Sequence, residues 1–162
     1  VFPESTRYNQ TSQVYHVFTV AGTNVYTYLR KSLYVGGGMA TVAIINAPTG
    51  LDLTMIEDTT CPSGYNSACF RVCNLAYASG AVNVTLPNAF MSFTNTQPGN
   101  AGSFSRLQSG TYSVNVARSA RPAVNLLSTF INLNPNRIYT LYVMNWNPSP
   151  DTIRILLVED MR

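Results

Sequence analysis

Along most of this chain, apolar and polar side chains alternate in short runs that are separated by turn residues. Residues 14–20, 81–86 and 111–117 show the alternation clearly. Successive side chains of a strand point to opposite faces of a sheet, so a period of two is typical of half-buried strands. No segment shows a helical period. The pattern predicts an all-β fold, an antiparallel β-sandwich of the Ig-like or Greek-key kind, with about ten or eleven strands and no significant helix.

The predicted strands lie between clusters of Gly, Pro and Asn, which favour turns. Some of these strands carry apolar residues on both faces. We expect the second sheet to cover one face, and either the N-terminal third of the chain or another subunit to cover the other. Residues 39–45, which follow three glycines, are one example, and residues 124–133 and 137–145 are two more. The predicted strands are residues 14–20, 25–35, 39–45, 51–56, 68–75, 81–86, 103–107, 111–117, 124–133, 137–145 and 152–158.

Charge is scarce in this chain. Only 10% of its 162 residues are charged, against roughly 25% in an average globular protein. This composition argues against a coiled coil, a helical bundle and a charged disordered chain. The net charge is +3 and Lys31 is the single lysine, so there is no basic run to bind nucleic acid. No apolar run reaches the length of about 18 residues that a membrane-spanning helix needs.

The first thirteen residues differ from the rest, because they are polar and do not alternate. We expect residues 1–13 to form an extended N-terminal arm and residues 14–162 to form a single β-sandwich domain. One alternative is that the arm packs along its own sandwich. The other, which we favour, is that it adds to a sheet edge of a neighbouring copy, with Val1, Phe2, Pro3 and Tyr8 as contact residues.

The start of the sequence and two short motifs suggest an extracellular protein. The chain begins with Val1 rather than Met, which we expect of a mature, secreted chain whose signal segment has been removed. Two acceptor motifs for N-linked glycans occur, at Asn9 and at Asn83. Asn83 falls on the polar face of its predicted strand, where a glycan could be carried.

Three cysteines, Cys61, Cys69 and Cys73, lie close together in the sequence. If residues 68–75 form a strand, Cys69 and Cys73 lie about 13 Å apart on one face, which exceeds the roughly 7 Å limit between the Cα atoms of a disulfide. Turn residues between Cys61 and Cys69 place these two opposite each other. We therefore predict a Cys61–Cys69 disulfide, with Cys73 as a buried apolar residue and no metal site.

The central part of the chain resembles a known family. The segment FRVCNLA (residues 70–76) is followed by AVNVTL (81–86), SGTYSVNV (109–116) and LNPNRIYTLYV (133–143). Over roughly residues 68–146 this order resembles the secreted β-sandwich family labelled domain of unknown function 4397. The resemblance implies an extracellular or envelope β-domain, and it supplies no catalytic residues.

The residues that nucleophilic catalysis needs are not found together in the sequence. His16, the single histidine, lies in an alternating run, and no G-x-S-x-G motif occurs. We expect no enzyme and no cofactor.

Two functions are consistent with these features. We expect a secreted structural subunit that assembles with copies of itself into a filament or surface layer, through its arm and its sheet edges. The alternative is a carbohydrate-binding or adhesive module that contacts bound glycans through Trp146, Tyr8 and Tyr15.

Overall fold

The computed structural model describes residues 8–10, 14–21, 27–36, 38–61, 64–147 and 149–160. These residues form thirteen strands and one three-residue 3-10 helix, which confirms the all-β prediction. The two strands beyond the predicted runs are β1 and β8. The strands are β1 Tyr8–Gln10, β2 Val14–Ala21, β3 Thr27–Val35, β4 Gly38–Ala47, β5 Gly50–Glu57, β6 Ser67–Leu75, β7 Val82–Leu86, β8 Met91–Thr96, β9 Ser105–Gln108, β10 Gly110–Arg118, β11 Asn125–Leu133, β12 Ile138–Asn145 and β13 Ile153–Asp160; the 3-10 helix is Pro87–Ala89.

The chain divides into two compact units, Val1–Thr59 and Thr60–Arg162. We call them the N-terminal unit and the C-terminal unit and describe each by itself. The expectation of an arm over residues 1–13 and one domain over residues 14–162 stays a prediction.

The N-terminal unit contains a three-stranded sheet in the order β1-β4-β5 and a hairpin of β2 and β3. In β4, Ile45 is buried whereas its neighbour Ile44 is exposed. The expectation that residues 39–45 are covered on both faces was therefore wrong. β4 pairs with β5 in antiparallel register, and its side chains alternate between a covered face and an open one.

The C-terminal unit is a sandwich of two four-stranded sheets. One sheet has the order β13-β12-β6-β9 and the other the order β11-β10-β7-β8; we call them the β12 sheet and the β10 sheet. All neighbouring strands of the β10 sheet are antiparallel. In the β12 sheet, β12 and β6 are parallel, which the prediction of an antiparallel sandwich did not include.

The core of this unit lies between the two sheets. It contains Phe70, Val72 and Leu141 from the β12 sheet and Val84 and Val114 from the β10 sheet, all fully buried. Side chains that alternate with these five point away from the core. The ring of Phe70 meets the ring of Phe93 on β8 edge to face, with centroids 5.4 Å apart, a geometry that aromatic pairs favour.

The strands β6 and β12 are buried on both faces, as expected for residues 137–145. On the face away from the core, Arg71, Cys73 and Thr140 are also buried. Within the single chain, residues 124–133 are covered on one face only, and cover of the other face by another subunit stays a prediction. β11 is the edge strand of its sheet, with Ile131 and Leu133 in the core and Phe130 exposed.

Candidate functional site

Trp146, the sugar-contact residue predicted in the C-terminal unit, lies in the loop that follows β12. Its side chain is 61% exposed. The Trp146 backbone N–H donates to the carbonyl oxygen of Thr152 at 3.2 Å. The guanidinium carbon of Arg154 lies 5.2 Å from the centroid of the Trp146 ring, within cation–π range. The indole is therefore held in place while much of its surface stays open to solvent.

Hydrogen bonds tie this loop to two neighbouring loops. The Asn145 side-chain amide donates to the Ser79 hydroxyl oxygen at 2.8 Å. The Ser79 hydroxyl donates in turn to the carbonyl oxygen of Pro150 at 2.6 Å. Arg118 donates from Nε to the Ser79 carbonyl oxygen at 3.1 Å. Ser79 thus joins the loop that follows β6 to the end of β10 and to the loop that follows β12, and Trp146 lies on a well-supported part of the sandwich.

The other predicted contact residues do not extend this site. Tyr8 lies in β1 and Tyr15 in β2, both in the N-terminal unit; the structure describes their backbone only. Residues 8–10 pair with β4 of the same chain, with Tyr8 opposite Ala40. Val1, Phe2 and Pro3 lie outside the described residues. Assembly through the arm stays a prediction.

The two predicted glycan acceptors have different surroundings. Asn9 is opposite Met39 in the pairing of β1 with β4. The Asn83 side chain is half-buried on β7, and its Oδ1 atom accepts from the Asn95 backbone N–H at 2.8 Å and from the Ser119 hydroxyl at 2.7 Å. Glycan attachment at either residue stays a prediction.

The cysteines pair as expected from their spacing. Cys61 and Cys69 form a disulfide with Cα atoms 6.3 Å apart, and Cys73 is free and fully buried. Burial raises the pKa of the Cys73 thiol to about 12, although the nearby Arg71 charge acts in the opposite direction. The thiol is therefore protonated and unreactive at neutral pH. A stable disulfide is compatible with an oxidising, extracellular environment.

The β10 sheet carries almost no charge, and two exposed phenylalanines on it or beside it, Phe130 and Phe90, were not recognised from the sequence. Arg118, at the end of β10, is the only charged residue in its four strands. Phe130 on β11 is 73% exposed. Phe90, after the 3-10 helix, is 99% exposed and adopts the left-handed backbone conformation, with φ 52°. The signal that could have found Phe90 is an aromatic residue within a Pro-Asn turn.

The described residues contain no cluster of three or more His, Cys, Asp or Glu side chains that could hold a metal ion. Among the same residues, no helix is long and apolar enough to cross a membrane.

The fold defines a β-sandwich protein in which one sheet carries the disulfide on β6 and the other has Arg118 as the only charged residue of its four strands. The chain belongs to the family described as Domain of unknown function (DUF4397), whose model matches residues 1–85. This confirms the family that the sequence resembles, although the resemblance at residues 68–146 and the match share only residues 68–85. None of the curated proteins compared with the chain matches it.

Proposed function

We propose that this protein is an extracellular, non-enzymatic structural subunit that polymerises through the two edge strands of its β10 sheet. The observation that carries the proposal is that both edges, β8 and β11, are free of charged residues and of proline. Natural proteins protect an exposed sheet edge from pairing with another chain by placing charges, proline or bulges there. These two edges have neither charges nor proline, and each has one bulge-like register shift in its pairing with the inner strand.

The directions of the strands also favour polymerisation. Each strand in the order β11-β10-β7-β8 is antiparallel to its neighbour, so β8 runs opposite to β11. A second copy placed beside the first in the same orientation therefore brings its β11 antiparallel to β8. Such a head-to-tail contact does not use the same patch twice, and its repetition gives an open filament.

The low charge of the β10 sheet also favours polymerisation. Copies that approach through uncharged strands experience little mutual repulsion, and no charged side chain has to be desolvated at the new contact. Backbone N–H and C=O groups at the two edges would gain partners. The secreted location is part of the proposal and is supported by the disulfide between Cys61 and Cys69.

A pair of double variants tests the β8–β11 contact. Thr94 on β8 and Ser128 on β11 are both exposed, so charges there leave the core intact. Thr94→Lys with Ser128→Lys places like charges across the contact, whereas Thr94→Lys with Ser128→Glu places opposite charges there. Cross-strand charge pairs contribute roughly 0.2–1 kcal/mol, so we expect the concentration needed for polymerisation to differ by about fivefold between the two variants.

Light scattering and negative-stain microscopy provide the readout, and the exposed loop variant Asn134→Lys is the control. The unmodified chain and the control should form filaments, the Lys/Lys variant should need the highest concentration, and added salt should reduce the difference. A chain that stays monomeric at high concentration would overturn the proposal. Equal polymerisation of the two double variants would also overturn it.

The N-terminal arm is a separate element of the proposal. Deletion of residues 1–13 removes β1 together with the residues before it. If the arm contributes to assembly, the deleted chain should need a higher concentration to polymerise. Unchanged polymerisation would leave the sheet edges as the contact and remove the arm from it.

Carbohydrate binding is a second candidate function, and the exposure of Trp146 beside Arg154 favours it. An aromatic ring held at an exposed position can pack against the apolar face of a sugar ring. Quenching or a spectral shift of the fluorescence of Trp146, the single tryptophan, on titration with soluble polysaccharides would support this function. Fluorescence that does not change with any of them would remove Trp146 from it.

A further inference from the structure

The outward face of the β10 sheet is a continuous polar surface on all four strands. Its side chains alternate with those of the core, since Ser113 precedes the buried Val114 and Phe130 precedes Ile131. The strand register places Phe130 opposite Ser113, and Asn115 opposite both Ser128 and Thr85. We call this surface the polar face; it includes Thr85, Thr94, Ser113, Asn115, Ser128 and Phe130.

The chemistry of the polar face is narrow. Its polar groups are hydroxyls and amides, which both donate and accept hydrogen bonds and carry no charge. Among the described residues, the side chains of Thr85, Ser113 and Asn115 make no hydrogen bond within the protein. These three residues are half-buried, and their polar groups have hydrogen-bonding capacity left for a ligand. A charged ligand would find no opposite charge here and would lose hydration.

An exposed aromatic ring lies on this face. The Phe130 side chain is 73% exposed and stands next to Ser113 across the β10–β11 pair. A phenyl ring leaves water when an apolar surface covers it, and each Å² of apolar surface buried contributes roughly 25 cal/mol. The polar face thus combines one apolar contact with hydrogen-bonding groups around it.

The turn that carries a second exposed aromatic ring, Phe90, is hydrogen-bonded to β10. Asn88, in the 3-10 helix, donates from its side-chain amide to the Thr111 carbonyl oxygen and accepts from the Ser113 backbone N–H, both at 3.0 Å. The Asn88 side chain therefore continues the pairing of β10 beyond the end of β7. Two residues later comes Phe90, almost wholly exposed. Ser113 thus has Phe130 on one side and the turn that carries Phe90 on the other.

The backbone of Phe90 is a further indication of function. Its φ is 52° and its ψ is 36°, in the left-handed region that Gly and Asn adopt most readily and that a bulky residue seldom occupies. The ring gains no burial in return for this strain. Strained residues of this kind are concentrated at functional sites.

We propose that the polar face binds a neutral polysaccharide, with Phe130 and Phe90 packing against sugar rings and the Ser, Thr and Asn side chains bonding to sugar hydroxyls. A neutral sugar chain has apolar C–H faces and many hydroxyls that donate and accept, which matches both components of this surface. The inference goes beyond the assembly proposal, and it does not use Trp146. In a filament built through β8 and β11 the face would repeat in every copy, which would increase avidity.

Binding of the full chain to insoluble neutral polysaccharides, such as cellulose, chitin and β-glucan, tests the inference, with an anionic polysaccharide for comparison. Phe130→Ser should weaken binding at least tenfold, and Phe90→Asn should weaken it while the fold is kept. Tyr65→Ser is the matched control, because Tyr65 is fully exposed but lies before β6 of the other sheet. Binding to the neutral polymers should change little with salt, since no charge pair contributes.

The outcomes separate this inference from the other proposals. Unchanged binding by both Phe variants, a preference for the anionic polymer, or no binding to any neutral polymer would overturn it. Loss of binding in Trp146→Ala with full binding in Phe130→Ser would also overturn it, and would leave carbohydrate binding at the Trp146 loop. If Phe130→Ser prevented polymerisation and no polysaccharide bound, the face would instead be a contact between copies. Polysaccharide binding is measured separately from polymer formation. The binding result can therefore be interpreted even if the assembly proposal fails.

Discussion

Arg71 and Thr140 are hydrogen-bonded to each other on the buried outer face of the β12 sheet. Arg71 donates from Nε to the Thr140 hydroxyl oxygen at 2.8 Å, and that hydroxyl donates to Oδ2 of Asp160 at 2.7 Å. The Arg71 guanidinium carbon also lies 4.6 Å from the centroid of the Phe104 ring. The Thr140 hydroxyl therefore links a buried cation to a carboxylate across three strands of the sheet.

Thr140→Val should destabilise the fold by about 2 kcal/mol, because the Nε–H of Arg71 loses this acceptor and a hydrogen bond to a charged group is worth about 1.5–3 kcal/mol. Valine has nearly the same shape, so packing changes little. Thr140→Ser keeps the hydroxyl and should lie much closer to the unmodified chain. Urea unfolding measures both free energies, and equal stabilities of the Val and Ser variants would contradict the role of this hydroxyl.

Cys73 should react with iodoacetamide only when the fold opens. Its thiol is fully buried, and this burial raises its pKa from the ordinary value of 9.0 to about 12. Mass spectrometry should find one label in denaturant without reductant and none in native buffer at neutral pH; Cys73→Ala should stay unlabelled in both. Fast labelling of the native chain would contradict the burial.

The same pKa shift has a consequence at alkaline pH. The unfolded chain loses the Cys73 proton near pH 9, whereas the folded chain holds it up to about pH 12. The stability contributed by the protonated thiol is therefore complete below pH 9 and is lost as pH rises toward 12. Compared with the unmodified chain, Cys73→Ala should lose less of its free energy of unfolding over that range.

Phe90→Asn should stabilise the protein by about 1 kcal/mol, because Asn tolerates the left-handed conformation that strains Phe. Phe90→Ala removes the ring but keeps a Cβ atom at φ 52°, so it should gain much less. Thermal unfolding compares the three chains. If Ala and Asn stabilise equally, the effect comes from loss of the exposed ring and not from the backbone.

Much of the fold could be predicted because it depends on local patterns. The alternation in residues 81–86 and 111–117 predicted two strands of the β10 sheet, and strand geometry predicted which cysteines could pair. The position of a strand within its sheet depends on long-range pairing instead. Residues 124–133 have apolar side chains at both odd and even positions, which point to opposite faces of a strand. The sequence therefore does not show that β11 is an edge strand with Phe130 exposed.

The candidate sites also differ in whether they depend on local sequence or on long-range strand pairing. Trp146 could be proposed from its turn-like neighbours, because a tryptophan in a short loop has little to cover it. The polar face could not be proposed, since it forms only when β7, β8, β10 and β11 come together and their outward residues share one surface. The strain at Phe90 depends on a backbone angle that residue type alone does not predict.

The ion pair of Lys31 and Asp52 in the N-terminal unit should make a small, pH-dependent contribution to stability. Lys31 donates from Nζ to Oδ1 of Asp52 at 2.9 Å and to the Leu53 carbonyl oxygen at 2.8 Å. The hydrogen bond from Lys31 and the one from the Leu53 backbone N–H lower the pKa of the Asp52 carboxyl below its ordinary value of 3.8. Both side chains are more than a third exposed, so solvent limits the contribution to about 1 kcal/mol or less.

Asp52→Asn should therefore be less stable than the unmodified chain at neutral pH by about 1 kcal/mol or less. A lowered carboxyl pKa contributes stability that is complete above the unfolded value and is lost as pH falls through the folded value. The difference between the two chains should persist down to about pH 4 and disappear below it. Urea unfolding at a series of pH values measures this difference, and a gap that stays constant down to about pH 2 would show that the carboxylate charge is not its source.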